Sequence, residues 1–464
     1  LPIKQNMDIS ANKLCHVVAL PYPGRGHINP MLNLCKLILS KSNKIFITFV
    51  VTEEWLSLLS SELKHPPPNF QLAALPQVIP SETERGADVM GFIEAVLTRL
   101  QGPFEHLLDR LQPRPTAIIY DVIMSWVVGV GNQRNIALAS FVTVSASFFT
   151  LYIHFDLLVQ NGHVPDADIS ERGNELVDYI PGLLPITVAD MPTSFQGDDG
   201  KKVLHQVIQA VDSLNNSQYL LTTSIYEFEE QAINCLKSKF PMQHYHIGPM
   251  IPYFNLTNNG DNNSSSYYFQ WLDSQPKGSV LYISQGSFLS TSNDQSQEII
   301  AGIKASNVRF LCVTRCDTTL LLNNDEVGLF VPWCDQLKVL CHPSVGGFWT
   351  HCGWNSISEG IYAGVPMLTS PIFWDQLLNS KMIVDDLRIG WRVVKHNHFK
   401  DKVLVTKEEI TQVVRKFMDP ENCERKELLS RAKELKDTFI KATTHGGSSA
   451  FHLDAFICDI LQQG

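Results

Sequence analysis

Several signals are missing from this chain of 464 residues, and each absence removes a class of function. No apolar run approaches the ~20 residues of a membrane-spanning helix. The opening LPIKQNMDIS carries one lysine and no apolar core, so it does not read as a secretory signal. There is no basic excess: the formal net charge is −10, whereas nucleic-acid binding rests on Lys and Arg neutralising phosphates. The ten cysteines form no CxxC and no ligand-like pairing with histidine, so no metal site is expected and the thiols read as reduced and mostly buried. The expectation is a cytoplasmic, monomeric protein with no integral membrane segment and no nucleic-acid partner. Met7 is expected as the natural start, with residues 1–6 as an upstream addition.

What is present is a globular composition, 44% hydrophobic and 18% charged, at a length that suits two domains of ordinary size. Strand and helix signals alternate in two runs. In the first, residues 15–23 read as a strand, 27–41 as an amphipathic helix and 45–52 as a second strand, the opening of a doubly wound unit. Residues 116–122 add a buried strand, 126–134 a helix, 136–142 a short strand and 148–159 an aromatic-rich helix. The segment 249–265, PMIPYFNLTNNGDNNSS, combines prolines with Asn, Gly and Ser and reads as a linker. Beyond it, strands are expected at 279–287, 309–315, 328–333, 346–350 and 366–371, and an amphipathic helix follows the glycine break at Gly446. The expected fold class is α/β, with two Rossmann-like doubly wound domains, 1–248 and 266–445, facing a cleft. The linker 249–265 joins them and a helix over 446–464 closes the chain. Ligands belong outside the carboxyl ends of the strands.

The window from Trp333 to Gln376, WCDQLKVLCHPSVGGFWTHCGWNSISEGIYAGVPMLTSPIFWDQ, is the most informative part of the sequence. A short apolar strand runs into a glycine-containing turn, and a helix starts near Gly353 with His351, Asn355 and Ser356 around it. A helix N-terminus offers unpaired N–H groups and a positive dipole end, so a diphosphate can bind there with those side chains as further donors. Glu359 lies one turn past Asn355, where a carboxylate can accept from both hydroxyls of a ribose. Trp333 offers a flat face for a base. Singly these residues have ordinary readings, as a buried anchor, a capping pair or a core histidine. At this joint spacing the binding site explains them better.

In length, in both ends and in the central HCGWNS, the window resembles the signature box (the PSPG box) of plant family 1 UDP-dependent glycosyltransferases of plant secondary metabolism. The resemblance implies a metal-independent, inverting enzyme of the GT-B arrangement, with no cofactor beyond the co-substrate UDP-sugar. It implies that Trp333 stacks on uracil with Cys334 beside it, that Gln336 lies near the ribose, and that Glu359 holds the ribose hydroxyls. His351, Asn355 and Ser356, with Gly353 and with Ser287 of the Gly286-Ser287 turn, would hold the phosphates; Trp354, Asp375 and Gln376 would hold the sugar. A terminal Gln in the box resembles the glucose-using members. The last helix would cross back onto the first domain. The chain departs from the pattern at Asp335, where proline is usual, at Gln285, where an aromatic usually precedes the Gly-Ser turn, and at 316–327, where the loop is short.

The first strand also delivers a base. In PYPGRGHINP, Gly24 and Gly26 allow a tight turn and His27 emerges at the carboxyl edge of the sheet. An imidazole, with an unperturbed pKa near ~6.5, suits proton abstraction from a hydroxyl. Asp121, at the end of IIYD, sits at another carboxyl edge and can accept from the other ring nitrogen. Phe148, Phe149 and Tyr152, with Phe92 and Phe195, suggest an apolar pocket for a small hydroxylated acceptor (phenolic, flavonoid or terpenoid); core packing explains them equally well. Asp166-Ala-Asp168, the spacing of a Mn²⁺-binding motif, reads as a solvated turn. Two alternatives remain: a non-enzymatic carrier of an apolar metabolite, and a nicotinamide-dependent enzyme. The second lacks a third glycine after Gly26, and its acidic pair Glu53 and Glu54 lies further on than the usual ~20 residues.

Overall fold

The computed structural model describes residues 14–463 except 64–65, 83–84, 86–87, 165–168, 193–194, 257–265, 287–291, 315–326 and 394–403. Among the described residues, fifteen strands form two parallel sheets and one small antiparallel pair. The first half supplies β1 (Cys15–Leu20), β2 (Ile45–Thr52), β3 (Phe70–Leu75), β4 (Ala117–Asp121), β5 (Ala137–Val142), the pair β6 (Leu176–Val177) and β7 (Ile186–Thr187), β8 (Tyr219–Thr222) and β9 (Gln243–His246). The second supplies β10 (Val280–Ser284), β11 (Arg309–Val313), β12 (Gly328–Val331), β13 (Val345–Thr350), β14 (Met367–Thr369) and β15 (Gly390–Arg392).

The sheet orders are β3-β2-β1-β4-β5-β8-β9 and β12-β11-β10-β13-β14-β15. Both sheets are buried on two faces, which is why their strands are continuous apolar runs rather than alternating ones. In β1, Val17 and Ala19 enter one core while Val18 and Leu20 enter another. In β10, Val280 and Tyr282 face one side, Leu281 and Ile283 the other. The strand order reverses between β1 and β4, and again between β10 and β13, so each sheet has a crevice at that switch point, where an open α/β sheet takes its ligand. Leu20 pairs in register with Tyr120, which sets the residues after β1 and the end of β4 side by side.

Three expectations change. The aromatic helix is two helices, Ala146–Ile153 and Phe155–Gln160, broken at His154, whose φ of −110° and ψ of 27° leave the helical region. Six strands were not expected: β6, β7, β8, β9 and β15 have two to four residues each, too few to show a pattern, and in β3, FQLAAL, only the two end residues are buried. The expected linker is pinned over its described part. Met250 packs into the first core and its carbonyl accepts from Asn33 Nδ2 at 2.9 Å, while the adjacent Ile251 packs into the second core. Tyr253 stacks on Tyr362 with ring centroids 5.8 Å apart. Apolar residues scattered among the prolines outweigh the polar composition there, and residues 257–265 lie outside the described set.

The final helix, Ser448–Leu461, buries Leu453, Phe456, Ile457 and Ile460 in the core shared with β1, β2 and β9. Each such side chain contributes on the order of 1.5–3 kcal/mol. Lys41 to Asp454 at 2.8 Å, the Tyr245 hydroxyl to Asp459, and Ser448 Oγ to Glu227 at 2.9 Å surround that apolar stripe. No described helix is long and apolar enough to cross a membrane.

Candidate active site

The first crevice holds the expected base. Gly24, in an extended conformation, precedes the helix Arg25–Lys41, so His27 sits in its first turn beside the end of β4. His27 Nδ1 lies 2.7 Å from Asp121 Oδ2 and 2.9 Å from Thr143 Oγ1. Asp121 is fully buried, and its other oxygen accepts from the Ile123 N–H at 3.2 Å. With a carboxylate as partner, Nδ1 carries the ring proton and Nε2 keeps its lone pair. The Tyr22 ring packs 4.9 Å from the imidazole and 6.1 Å from Phe92.

The second crevice gathers the window. Trp333, just past β12, is 67% exposed, an open indole face. Asp335 caps the next helix, Gln336–Leu340, by accepting from the Lys338 N–H at 3.3 Å, which is the local use this chain makes of its departure from proline. Gln336 is the hub: its carbonyl accepts from the Tyr282 hydroxyl at 3.1 Å, and its amide donates to Ser356 Oγ at 2.9 Å and Glu359 Oε2 at 2.8 Å. Burial pushes the Glu359 carboxyl up to about 7, offset in part by that amide. Cys334 is buried against the same Tyr282 hydroxyl, and burial pushes its thiol up to about 12.

His351 follows β13 and lies between two glycines. A Cβ on Gly286 or on Gly353 would stand 2.6 Å from His351 Nε2, so a side chain at either position would displace the imidazole, and Gly286 has φ +82° besides. Burial pushes the imidazole down to about 4, partly opposed by a backbone hydrogen bond with Ser284. It is therefore neutral near pH 7. The helix Trp354–Ala363 starts at Gly353 with no side-chain cap, which leaves its first N–H groups for a ligand. Asn355 Nδ2 donates across to the Gly26 carbonyl at 2.9 Å, next to His27. Trp354 does not turn its N–H toward the crevice; the indole is buried and donates to Thr223 Oγ1 at 3.1 Å. Asp375 is buried, its carboxyl pushed up to about 6 by burial and held partly down by Asn379. The Gln376 carbonyl accepts from the Ile372 and Phe373 N–H groups at 2.8 and 3.0 Å. Ser287 lies outside the described residues, as do Asp166 and Asp168. Gln285 accepts from Ser370 Oγ at 3.2 Å, which in turn accepts from the Trp349 indole at 2.9 Å.

The expected acceptor aromatics divide. Phe148 and Phe195 join Trp374, with ring centroids 5.7 and 5.9 Å from it, and Tyr152 lies 6.4 Å from the same indole. Phe149 stacks 6.4 Å from Tyr152 but packs into a separate core with Ala232 and Ile233. Phe92 sits with Tyr22 beside the base, in a third cluster. The five do not form one wall, because successive residues of a helix point to different faces. Sequence reasoning missed Thr143, Tyr282, Thr223, Trp374 and Asn379. Trp374 and Asn379 had signals: one is the neighbour of Asp375, the other lies one helical turn beyond it.

Comparison with known proteins gives the family. A family model described as UDP-glucoronosyl and UDP-glucosyl transferase matches residues 202–420. UDP-glycosyltransferase 87A2 of Arabidopsis thaliana is 47% identical over 96% of this chain and 97% of its own length; UDP-glycosyltransferase 87A1 of the same plant is 47% identical over 96% and 100%. Among solved structures, Phytolacca americana UGT2 complexed with UDP-2fluoro-glucose and pterostilbene has a TM-score of 0.82 at 26% identity, covering 96% of this chain and 99% of that one. Medicago truncatula UGT71G1 complexed with UDP-glucose has a TM-score of 0.80 at 25% identity, covering 97% and 99%. The chain belongs to the plant family 1 UDP-glycosyltransferases. It is an enzyme of the GT-B fold with a UDP-sugar as co-substrate, which removes the carrier and nicotinamide alternatives.

Proposed function

We propose that this enzyme transfers glucose from UDP-glucose to a hydroxyl of a small apolar plant metabolite of phenolic, flavonoid or terpenoid type, with inversion at the anomeric carbon. The observation that carries the chemistry is the 2.7 Å contact between His27 Nδ1 and buried Asp121, which leaves Nε2 as the base. The acceptor O–H gives its proton to Nε2 as its oxygen bonds to the anomeric carbon and the carbon–oxygen bond to the diphosphate breaks on the opposite face. An α-linked donor gives a β-glycoside. Asp121 stabilises the imidazolium, which is worth on the order of 10²–10⁴-fold as part of general base catalysis. The leaving UDP is met by the uncapped N-terminus of Trp354–Ala363, neutral His351, Asn355 and Ser356.

Trp333 is assigned to uracil, Gln336 and Glu359 to the ribose, and Asp375 and Gln376 to the sugar. Trp354 supports the sugar subsite through its backbone and its anchorage to Thr223 rather than through its indole N–H. Glucose as the donor is supported by Gln376 and by the UDP-glucose in the Medicago structure; an aromatic acceptor is supported by pterostilbene in the Phytolacca structure and by Tyr152 and Trp374 meeting from the two halves of the chain. The division into acceptor domain 1–248, linker 249–265, donor domain 266–445 and returning helix 446–464 belongs to the same reading, as do a monomeric state and a cytoplasmic site of action. The test is UDP release from a panel of UDP-sugars with pooled phenolic and terpenoid acceptors, followed by product mass. A hexose gain with UDP-glucose is expected; release only from UDP-sugars other than UDP-glucose would contradict the donor assignment.

A further inference from the structure

We propose that Asn379 is a positioning residue of the sugar subsite, holding Asp375 in orientation and tying it across the cleft to Ser145. The proposal rests on the assignment of Asp375 to the sugar. Asn379 is fully buried in the helix Gln376–Lys381, one turn past Asp375. Its amide donates to Asp375 Oδ2 at 2.7 Å and to the Cys352 carbonyl at 3.0 Å, while its carbonyl accepts from Ser145 Oγ at 3.2 Å.

Three parts of the site therefore meet at one planar group. Asp375 is the sugar carboxylate. Cys352, with φ +68°, lies in the turn between His351 and the helix that faces the diphosphate. Ser145 caps the helix Ala146–Ile153 by accepting from the Phe148 N–H at 3.1 Å, and that helix carries Phe148 and Tyr152 toward Trp374. Two donors and an acceptor in fixed geometry are what a carboxamide supplies; an ionised aspartate has no donor, and an apolar residue takes one hydrogen bond away from each of three buried groups. Misplacement of a substrate-orienting group by about 1 Å can cost on the order of 10²-fold in rate, so a residue that touches no substrate can still set turnover.

The test compares Asn379→Ala, Ser145→Ala and Asp375→Ala in the full-length enzyme, by kcat for UDP-glucose against pH and by calorimetric UDP affinity. Asn379→Ala is expected to lower kcat about tenfold or more while UDP affinity stays within about twofold. It should also move the acid limb of kcat to higher pH. Asp375 accepts hydroxyls best when ionised, and without the donated hydrogen bond burial pushes its carboxyl further up, with His27 the titratable group facing it. Ser145→Ala should act in the same direction by a smaller factor. Wild-type kcat and an unmoved acid limb in both variants, with Asp375→Ala inactive, would overturn the positioning role and leave the sugar assignment standing. Full turnover in Asp375→Ala would overturn both. If Asn379→Ala does not fold, Ser145→Gly, which a helix N-cap tolerates far better than alanine, removes the bond across the cleft with little loss of the cap on Phe148 and decides by the same two readouts.

Discussion

At the residue scale, two buried carboxylates are asked to do opposite things. Asp121 serves by staying paired with His27, so Asp121→Asn is expected to slow kcat by on the order of 10²-fold or more with little change in UDP affinity. A normal kcat would remove Asp121 from the mechanism. Glu359 is instead held unfavourably. Its carboxyl rises from the ordinary range to about 7 because burial penalises the charge. The folded state therefore binds the proton more tightly than the unfolded chain, and stability from this group falls as pH rises from about 4.5 to about 7 and is lost above that. Glu359→Gln should accordingly raise the melting temperature at pH 8 and leave it nearly unchanged at pH 4, while weakening donor binding at pH 8. An unchanged donor KM in that variant would contradict the ribose assignment. The pair His27 and Asp121 was visible in the sequence because one follows and the other ends a strong apolar strand signal, and the window was visible because its spacing is dense. Thr143, Thr223 and Tyr282 were not, since each comes from a distant strand or its end and only the sheet order brings it near.

At the element scale, the terminal helix is a structural clamp on the first sheet. Phe456 is fully buried, with ring centroids 5.8 Å from Tyr219 and 5.6 Å from Tyr245. Phe456→Ala is expected to cost about 3–5 kcal/mol, read from the urea unfolding midpoint. A cost below about 1 kcal/mol would mean that the helix adds little to the sheet's stability. The strands that sequence patterning found, β1, β2, β4, β5 and β10 to β14, are those whose own residues are apolar enough to announce a buried strand. β8, β9 and β15 owe their state to neighbours already in place: three or four residues cannot show a period, and pairing beside β5 or β14 decides the outcome. The break at His154 and the packing of Met250 and Ile251 are likewise tertiary effects that local composition does not record.

At the scale of the whole molecule, an anionic chain binds an anionic donor. The groups proposed here to meet the diphosphate are a helix N-terminus, Asn355, Ser356 and a neutral His351, and none carries a formal positive charge. Raising ionic strength from about 0.01 to about 0.15 M shortens the screening length from about 30 to about 8 Å and weakens the repulsion from the net charge of −10. The donor KM is therefore expected to hold steady or fall with added salt. A several-fold rise would reveal a cationic contact to the phosphates. Bonds between groups from the two halves of the chain, Asn355 to Gly26, Trp354 to Thr223 and Ser145 to Asn379, bring donor groups to the turn that carries the base. The central claim is that this base is His27. The most direct measurement is the single-turnover rate of glucosyl transfer by His27→Ala beside its calorimetric UDP affinity. A loss of at least about 10²-fold in rate with UDP affinity within about twofold is expected; a wild-type rate would show that the acceptor proton leaves by another route.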